Sequence, residues 1–128
     1  QESLNNSRKE TLPEKMVREW LESNNIKFKQ EVGFLRKYFV DFYLPNHKTI
    51  IEVYGDYWHS NPDIYDVYNN DKSKKKLHLN QVEKINSNHD EVRKMELESY
   101  GFKVKILWEK DIYENLDYLM SNVFNEEP

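Results

Sequence analysis

Apolar and polar positions recur along this chain with two different periods, and the changes of period divide it into elements. Met16, Val17, Trp20 and Leu21 stand at helical spacing, which predicts a helix with one buried face. Thr11-Leu12-Pro13-Glu14 opens it: Thr11 suits the N-cap, Pro13 the first turn, and Glu14 stands where a capping box places an acid. Ser23-Asn24-Asn25 ends it. Strand character follows in three pieces. Residues 26–32 mix apolar and charged positions, as an edge strand does. Residues 38–44 are aromatic and β-branched, Pro45-Asn46 turns the chain, and residues 49–54 form a third strand before Gly55.

Residues 61–73, with Pro62 and several Asn and Asp, read as a loop. A helix is expected over 75–100, broken near Ser87-Asn88 and stopped at Gly101. Residues 102–108 alternate as a strand, and Ile112, Leu116, Leu119 and Val123 predict a terminal helix over 112–124. The order is helix, three strands, helix, strand, helix. A strand after a long helix returns parallel to an earlier one, so the expected fold is α/β (α+β), with a mixed sheet of about four strands flanked by helices.

Length and composition narrow this further. The 128 residues suit one domain over residues 11–128 behind a flexible polar leader, residues 1–10. No apolar run approaches the roughly 20 residues of a membrane span, and residues 1–10 carry no secretory pattern. With no cysteine, disulfides and thiolate zinc sites are excluded. A cytoplasmic protein, with no membrane partner, is the expectation, and the Asn and Lys bias points toward a bacterial or phage source. The net charge of −4 argues against nucleic acid by its sum. Its distribution is more permissive: Lys72, Lys74, Lys75 and Lys76 form one basic run, and Arg36 with Lys37 another. The ordinary reading of such runs is a solvated loop.

The chemistry concentrates elsewhere. Asp41 lies inside the apolar run Val40-Asp41-Phe42-Tyr43-Leu44, and Glu52 inside Thr49-Ile50-Ile51-Glu52-Val53-Tyr54. A dry, unpaired carboxylate costs several kcal/mol, and two on neighbouring strands repel. Either each pairs with its own Lys or Arg, or both meet a divalent cation. Mg²⁺, with its preference for hard oxygen ligands and retained waters, suits such a pair. Gly55 lets the chain turn sharply, which brings Tyr57, Trp58 and His59 toward the same end of the sheet. A His beside a metal can take a proton from attacking water; a packed aromatic cluster is the plainer role for all three.

These residues resemble the core of the very-short-patch repair endonuclease, of the PD-(D/E)XK nuclease superfamily, and the EDxHD homing endonucleases. Glu14, in Thr11-Leu12-Pro13-Glu14, matches the helix Glu of that signature; Asp41 matches the strand Asp, Val53 the variable residue and His59 the His. Tyr100-Gly101-Phe102-Lys103-Val104 with Trp108-Glu109 is similar to the family's last strand, and counting back from Gly101 puts Asp90 at the final acid. The likeness spans residues 11–109. It implies a restriction-endonuclease-like core and metal-dependent hydrolysis of double-stranded DNA.

Carried over residue by residue, the resemblance makes Asp41 a metal ligand, Val53 a ligand through its backbone carbonyl and Glu52 a further ligand. His59 would activate water, with Glu14 and Asp90 supporting the site. It implies Mg²⁺, replaceable by Mn²⁺. Arg36, the Lys72–76 run, Tyr57 and Trp58 become candidate DNA contacts. Glu14 also serves a plain capping box, and Asp90 a plain solvated helix. Two departures are visible. The superfamily's usual lysine falls at Tyr54, which the His-containing subgroup explains. The repair enzyme's Cys-bound zinc cannot be built here, which turns the match toward a homing endonuclease and away from mismatch or damage repair. A catalytically inactive DNA-binding domain of the same fold is the other alternative. Few base-reading elements are present, so a separate recognition domain or a dimer partner is expected.

Overall fold

Thr11 caps the first helix as its sequence demands. Its hydroxyl accepts from the Glu14 N–H at 3.3 Å, and its own N–H donates to Glu14 Oε1 at 2.9 Å. Helix α1 (Leu12–Ser23) follows, and Asn25, with φ 56°, turns the chain out of it. The computed structural model describes residues 9–55, 65–66, 77–78 and 81–125; side chains are described for 9–55 and 89–125.

Three antiparallel strands come next: β1 (Lys29–Phe34), β2 (Tyr38–Leu44) and β3 (Thr49–Tyr54). β2 and β3 fall where aromatic and β-branched residues predict them. β1 begins three residues later than expected and ends two later. Ile26 and Phe28 are instead drawn onto the core as loop residues, Phe28 edge-on to Phe42, while pairing with Tyr38 carries the strand on to Phe34. Leu35 and Arg36, both at positive φ, close the hairpin, and the Lys37 N–H donates to the Phe34 carbonyl.

Two short strands, β4 (Tyr65–Asp66) and β5 (Leu77–His78), pair in parallel. β4 lies in the segment expected as loop, and β5 in the expected start of the long helix. That helix, α2 (Gln81–Ser99), therefore begins six residues late. It runs through Ser87-Asn88 unbroken, since each residue costs an interior helix well under about 1 kcal/mol.

Strand β6 (Lys103–Trp108) lies parallel to β3, from Thr49↔Lys103 to Tyr54↔Trp108, which completes a four-stranded mixed sheet in the order β1-β2-β3-β6. Helix α3 (Glu109–Phe124) starts three residues early, with Glu109 and Asp111 in its first turn, where acids suit the helix dipole. It kinks at Asn115, whose Oδ1 accepts from the Tyr118 N–H and so caps the second segment.

The sheet separates two cores. Phe42, Leu44, Ile51, Val53 and Leu107 pack with Val17 and Leu21 of α1 and Ile112, Met120 and Val123 of α3. On the other side, Val40, Ile50 and Val104 meet Leu97 of α2. Trp20 joins the first pair of helices, stacked on Phe124 and bonded through its indole N–H to Asp117 at 2.8 Å. Ahead of α1, Glu10 accepts from Arg18 and Gln30. Among the described residues no helix is long and apolar enough to cross a membrane.

Candidate active site

Alternation along β2 fails at one residue. Val40 packs on the α2 side of the sheet and Phe42, two positions on, packs on the α1/α3 side, whereas a regular strand presents both on one face. The residue between them is Asp41. Across the hairpin the pairing runs from Gln30↔Phe42 to Val32↔Val40, and the intervening Glu31 has φ 54°. A non-glycine residue in that region costs about 1–3 kcal/mol, so the distortion is imposed by its surroundings.

Pairing of β2 with β3 ends beside the same point. The ladder covers Leu44↔Thr49, Tyr43↔Ile50 and Phe42↔Ile51. Beyond it, the Val53 N–H donates to Asp41 Oδ2 at 2.8 Å. A side-chain carboxylate replaces the strand carbonyl that would otherwise take this proton. The two strands thus diverge around an acid.

A cleft of about 250 Å³ lies there, lined by Glu14, Glu31, Phe39, Asp41, Glu52, Val53, Tyr54, Asp90 and Arg93. The fold therefore gathers Glu14 from α1, Asp41 from β2, Glu52 and Val53 from β3, and Asp90 from α2. Glu14 is 5% exposed and completes the capping box while it lines the cleft. Tyr54 packs edge-on to Trp108. Burial pushes its hydroxyl pKa well above the usual phenol range, and the charges of Glu52 and Asp90 push it further. Tyr54 is thus a neutral phenol at the edge of the cleft.

Arg93 is the functional residue that sequence reasoning missed. Its Nε donates to Glu52 Oε2 at 2.8 Å and its Nη2 to Glu52 Oε1 at 2.9 Å, while Nη2 also donates to the Phe39 carbonyl at 2.6 Å. The guanidinium carbon lies 5.1 Å from the Tyr38 ring centre. Glu52 is 3% exposed, and a carboxylate so buried needs such a partner. A signal was present: Arg93 follows Asp90 by three residues, which puts both on one helical face.

Other candidates lie elsewhere. Arg36 is exposed in the β1–β2 turn and does not line the cleft. Tyr57, Trp58, His59, Lys72, Lys74, Lys75 and Lys76 lie outside the described residues.

Whether a divalent cation suits this cleft depends on its donors. Among the described residues no three His, Cys, Asp or Glu side chains converge into a metal cage. An ion held wholly by protein is therefore not what these residues fit. Mg²⁺ keeps several waters and takes one or two carboxylates, and Asp41, bordering the cleft beside the Val53 backbone, fits that mode.

No family model matches the chain, and no curated protein matches it. Among solved structures, the fold is similar to that of the catalytic domain of the homing endonuclease I-Bth0305I, at 24% identity and a TM-score of 0.57, over 88% of this chain and 90% of that one.

Proposed function

We propose that this chain is a metal-dependent DNA endonuclease domain of the EDxHD homing type, hydrolysing phosphodiester bonds in double-stranded DNA. The observation that carries the reading is the Asp41–Val53 bond, at the point where β2 and β3 part and four further acids line one cleft. The likeness to the catalytic domain of a homing endonuclease supports it.

In this reading Asp41 binds Mg²⁺, or Mn²⁺ in its place, and the Val53 carbonyl is the second protein ligand. The bound cation polarises the scissile phosphate and lowers the pKa of a coordinated water. Asp41, held by the Val53 N–H, keeps its carboxylate in one orientation. Glu14, fixed by the cap of α1, orients His59, which takes the proton of the attacking water. Asp90 supports the site from α2. Glu52 joins the ligands only by exchanging Arg93 for the cation. Arg36 and the Lys72–76 run neutralise flanking phosphates, and Tyr57 and Trp58 stack on or wedge between bases. Sequence recognition comes from a separate domain or a dimer partner.

Nicking of supercoiled plasmid tests this. The expected result is conversion to open circle with Mg²⁺ or Mn²⁺, none with EDTA, and none by Asp41→Asn. Equal nicking by Asp41→Asn, or none by the parent chain in either metal, overturns it. One observation favours a second reading, a DNA-binding domain that keeps the fold without the chemistry: the charge of Glu52 is already matched by Arg93. Metal-independent DNA binding with no cleavage supports that alternative. Preferential nicking of T:G-mismatched duplex moves the assignment to repair.

A further inference from the structure

We propose that Glu52 and Arg93 form a fixed clasp, which seats the turn of α2 carrying Asp90 at the cleft and holds Glu52 outside the coordination of any cation at Asp41. The part concerning the cation rests on the nuclease reading above; the clasp itself does not.

Three observations carry it. The guanidinium makes a fork to both Glu52 oxygens, adds the Phe39 carbonyl and lies against the Tyr38 ring. A planar fork held at this many points is pre-organised, as a lysine would not be. Second, the clasp lies three residues beyond Asp90, on the same face of α2. His89, Glu91 and Val92 are exposed, and the next attachments of α2 are Glu96, bonded to Lys37 and Tyr38, and the buried Leu97. Third, the competing equilibria are unequal. A cation that takes Glu52 competes with the guanidinium fork on both carboxylate oxygens and costs Arg93 its charge partner, which weakens that route. Coordination at Asp41 does not break the pair.

The clasp assigns different work to the cleft acids. Glu52 is a positioning residue that acts through Arg93 on the placement of α2, and Asp41 is the carboxylate that meets the metal. A charged strand position therefore serves the site without touching a reacting atom.

The test compares Mn²⁺ binding, thermal unfolding and nicking across variants. Mn²⁺ binding is read on the protein alone by the electron paramagnetic resonance of the free ion. Asp41→Asn is expected to weaken Mn²⁺ by about tenfold or more, and Glu52→Gln by no more than about threefold, since one is a ligand and the other is not. Glu52→Gln and Arg93→Met each lower the melting temperature by roughly 10 °C or more. Arg93→Lys, which keeps the charge, recovers part of both the melting temperature and the nicking rate. In the Arg93→Met background, Asp90→Asn costs little further nicking, because Asp90 is already misplaced.

Several results overturn the clasp. One is loss of Mn²⁺ by Glu52→Gln equal to that of Asp41→Asn, which makes Glu52 a ligand. Another is tighter Mn²⁺ binding by Arg93→Met, which makes Arg93 an exchangeable placeholder. A third is additive melting losses across Glu52→Gln, Arg93→Gln and their double variant, in which a pair of amides keeps the site neutral. If the parent chain neither binds Mn²⁺ nor nicks DNA, the nuclease reading fails, and the melting cycle alone still decides the clasp.

Discussion

The Val53 N–H donates to Asp41 Oδ2 at 2.8 Å, so one carboxylate bridges two strands where their own pairing stops. On the proposed reading that acid is structural and chemical at once. Removing it exposes a backbone donor in a part-buried site, a loss of about 1–3 kcal/mol. Asp41→Ala is therefore expected to lower the melting temperature by several degrees as well as abolish nicking, whereas Asp41→Asn, which retains an acceptor oxygen, abolishes nicking with a smaller loss of stability. Differential scanning calorimetry beside the plasmid assay checks both. Unaltered stability in Asp41→Ala contradicts the bridging role.

Glu14 caps α1 and lines the cleft, and two substitutions separate the cap from its proposed role beside His59. Glu14→Gln preserves an oxygen for the Thr11 N–H, so the cap persists and stability changes little. Glu14→Ala removes that acceptor and costs on the order of 1 kcal/mol. If the charge of Glu14 serves His59, both variants lose nicking by about tenfold or more, a typical scale for general acid–base support. A fall in nicking confined to Glu14→Ala assigns the residue to the cap alone.

Tyr54 titrates against the fold. Burial, followed by the charges of Glu52 and Asp90, raises its folded pKa above the ordinary phenol value near 10. The resulting stability is fully present below pH of about 10 and is lost as the pH climbs above it, because only the unfolded chain ionises readily. Tyr54→Phe should flatten this alkaline loss in melting curves. It should also leave the nicking profile below pH of about 9 unchanged, since a neutral phenol is no base. A changed profile there makes the hydroxyl a participant.

At the opposite end of the scale stands Glu10. Its hydrogen bonds from Arg18 hold its carboxyl pKa below the usual value. Its contribution is therefore present above the unfolded pKa and disappears as the pH falls through the lower folded one. The pair is exposed, so its worth is under about 1 kcal/mol. Glu10→Gln is expected to lower the melting temperature slightly at pH 7 and not at all at about pH 2. A penalty that survives in acid rejects the ionic account.

Much of this architecture is legible in the chain. β2 and β3 are read correctly because their aromatic and β-branched runs are bounded by Pro45-Asn46 and Gly55. Asp41 and Glu52 are visible as candidates because acids within apolar strands need an explanation, whereas Glu14 and Asp90 are reached only through the family resemblance. Their gathering in one cleft depends on features that no local pattern encodes, above all the left-handed Glu31 and the early end of the β2–β3 ladder. Arg93 escaped notice because an arginine on a charged helix resembles a solvated one. Its place at the cleft follows from Glu52, forty-one positions away. β4 and β5 escaped for the same reason, since two-residue strands are set by their partner and not by their own composition.

On the proposed function a cation sits between Asp41 and the Val53 carbonyl. Anomalous diffraction from Mn²⁺-soaked crystals reads its position directly. A peak within coordination distance of both oxygens, with Arg93 still on Glu52, is the predicted result. A peak bound through Glu52 with Arg93 displaced, or none at Asp41 in protein that nicks DNA with Mn²⁺, contradicts the account.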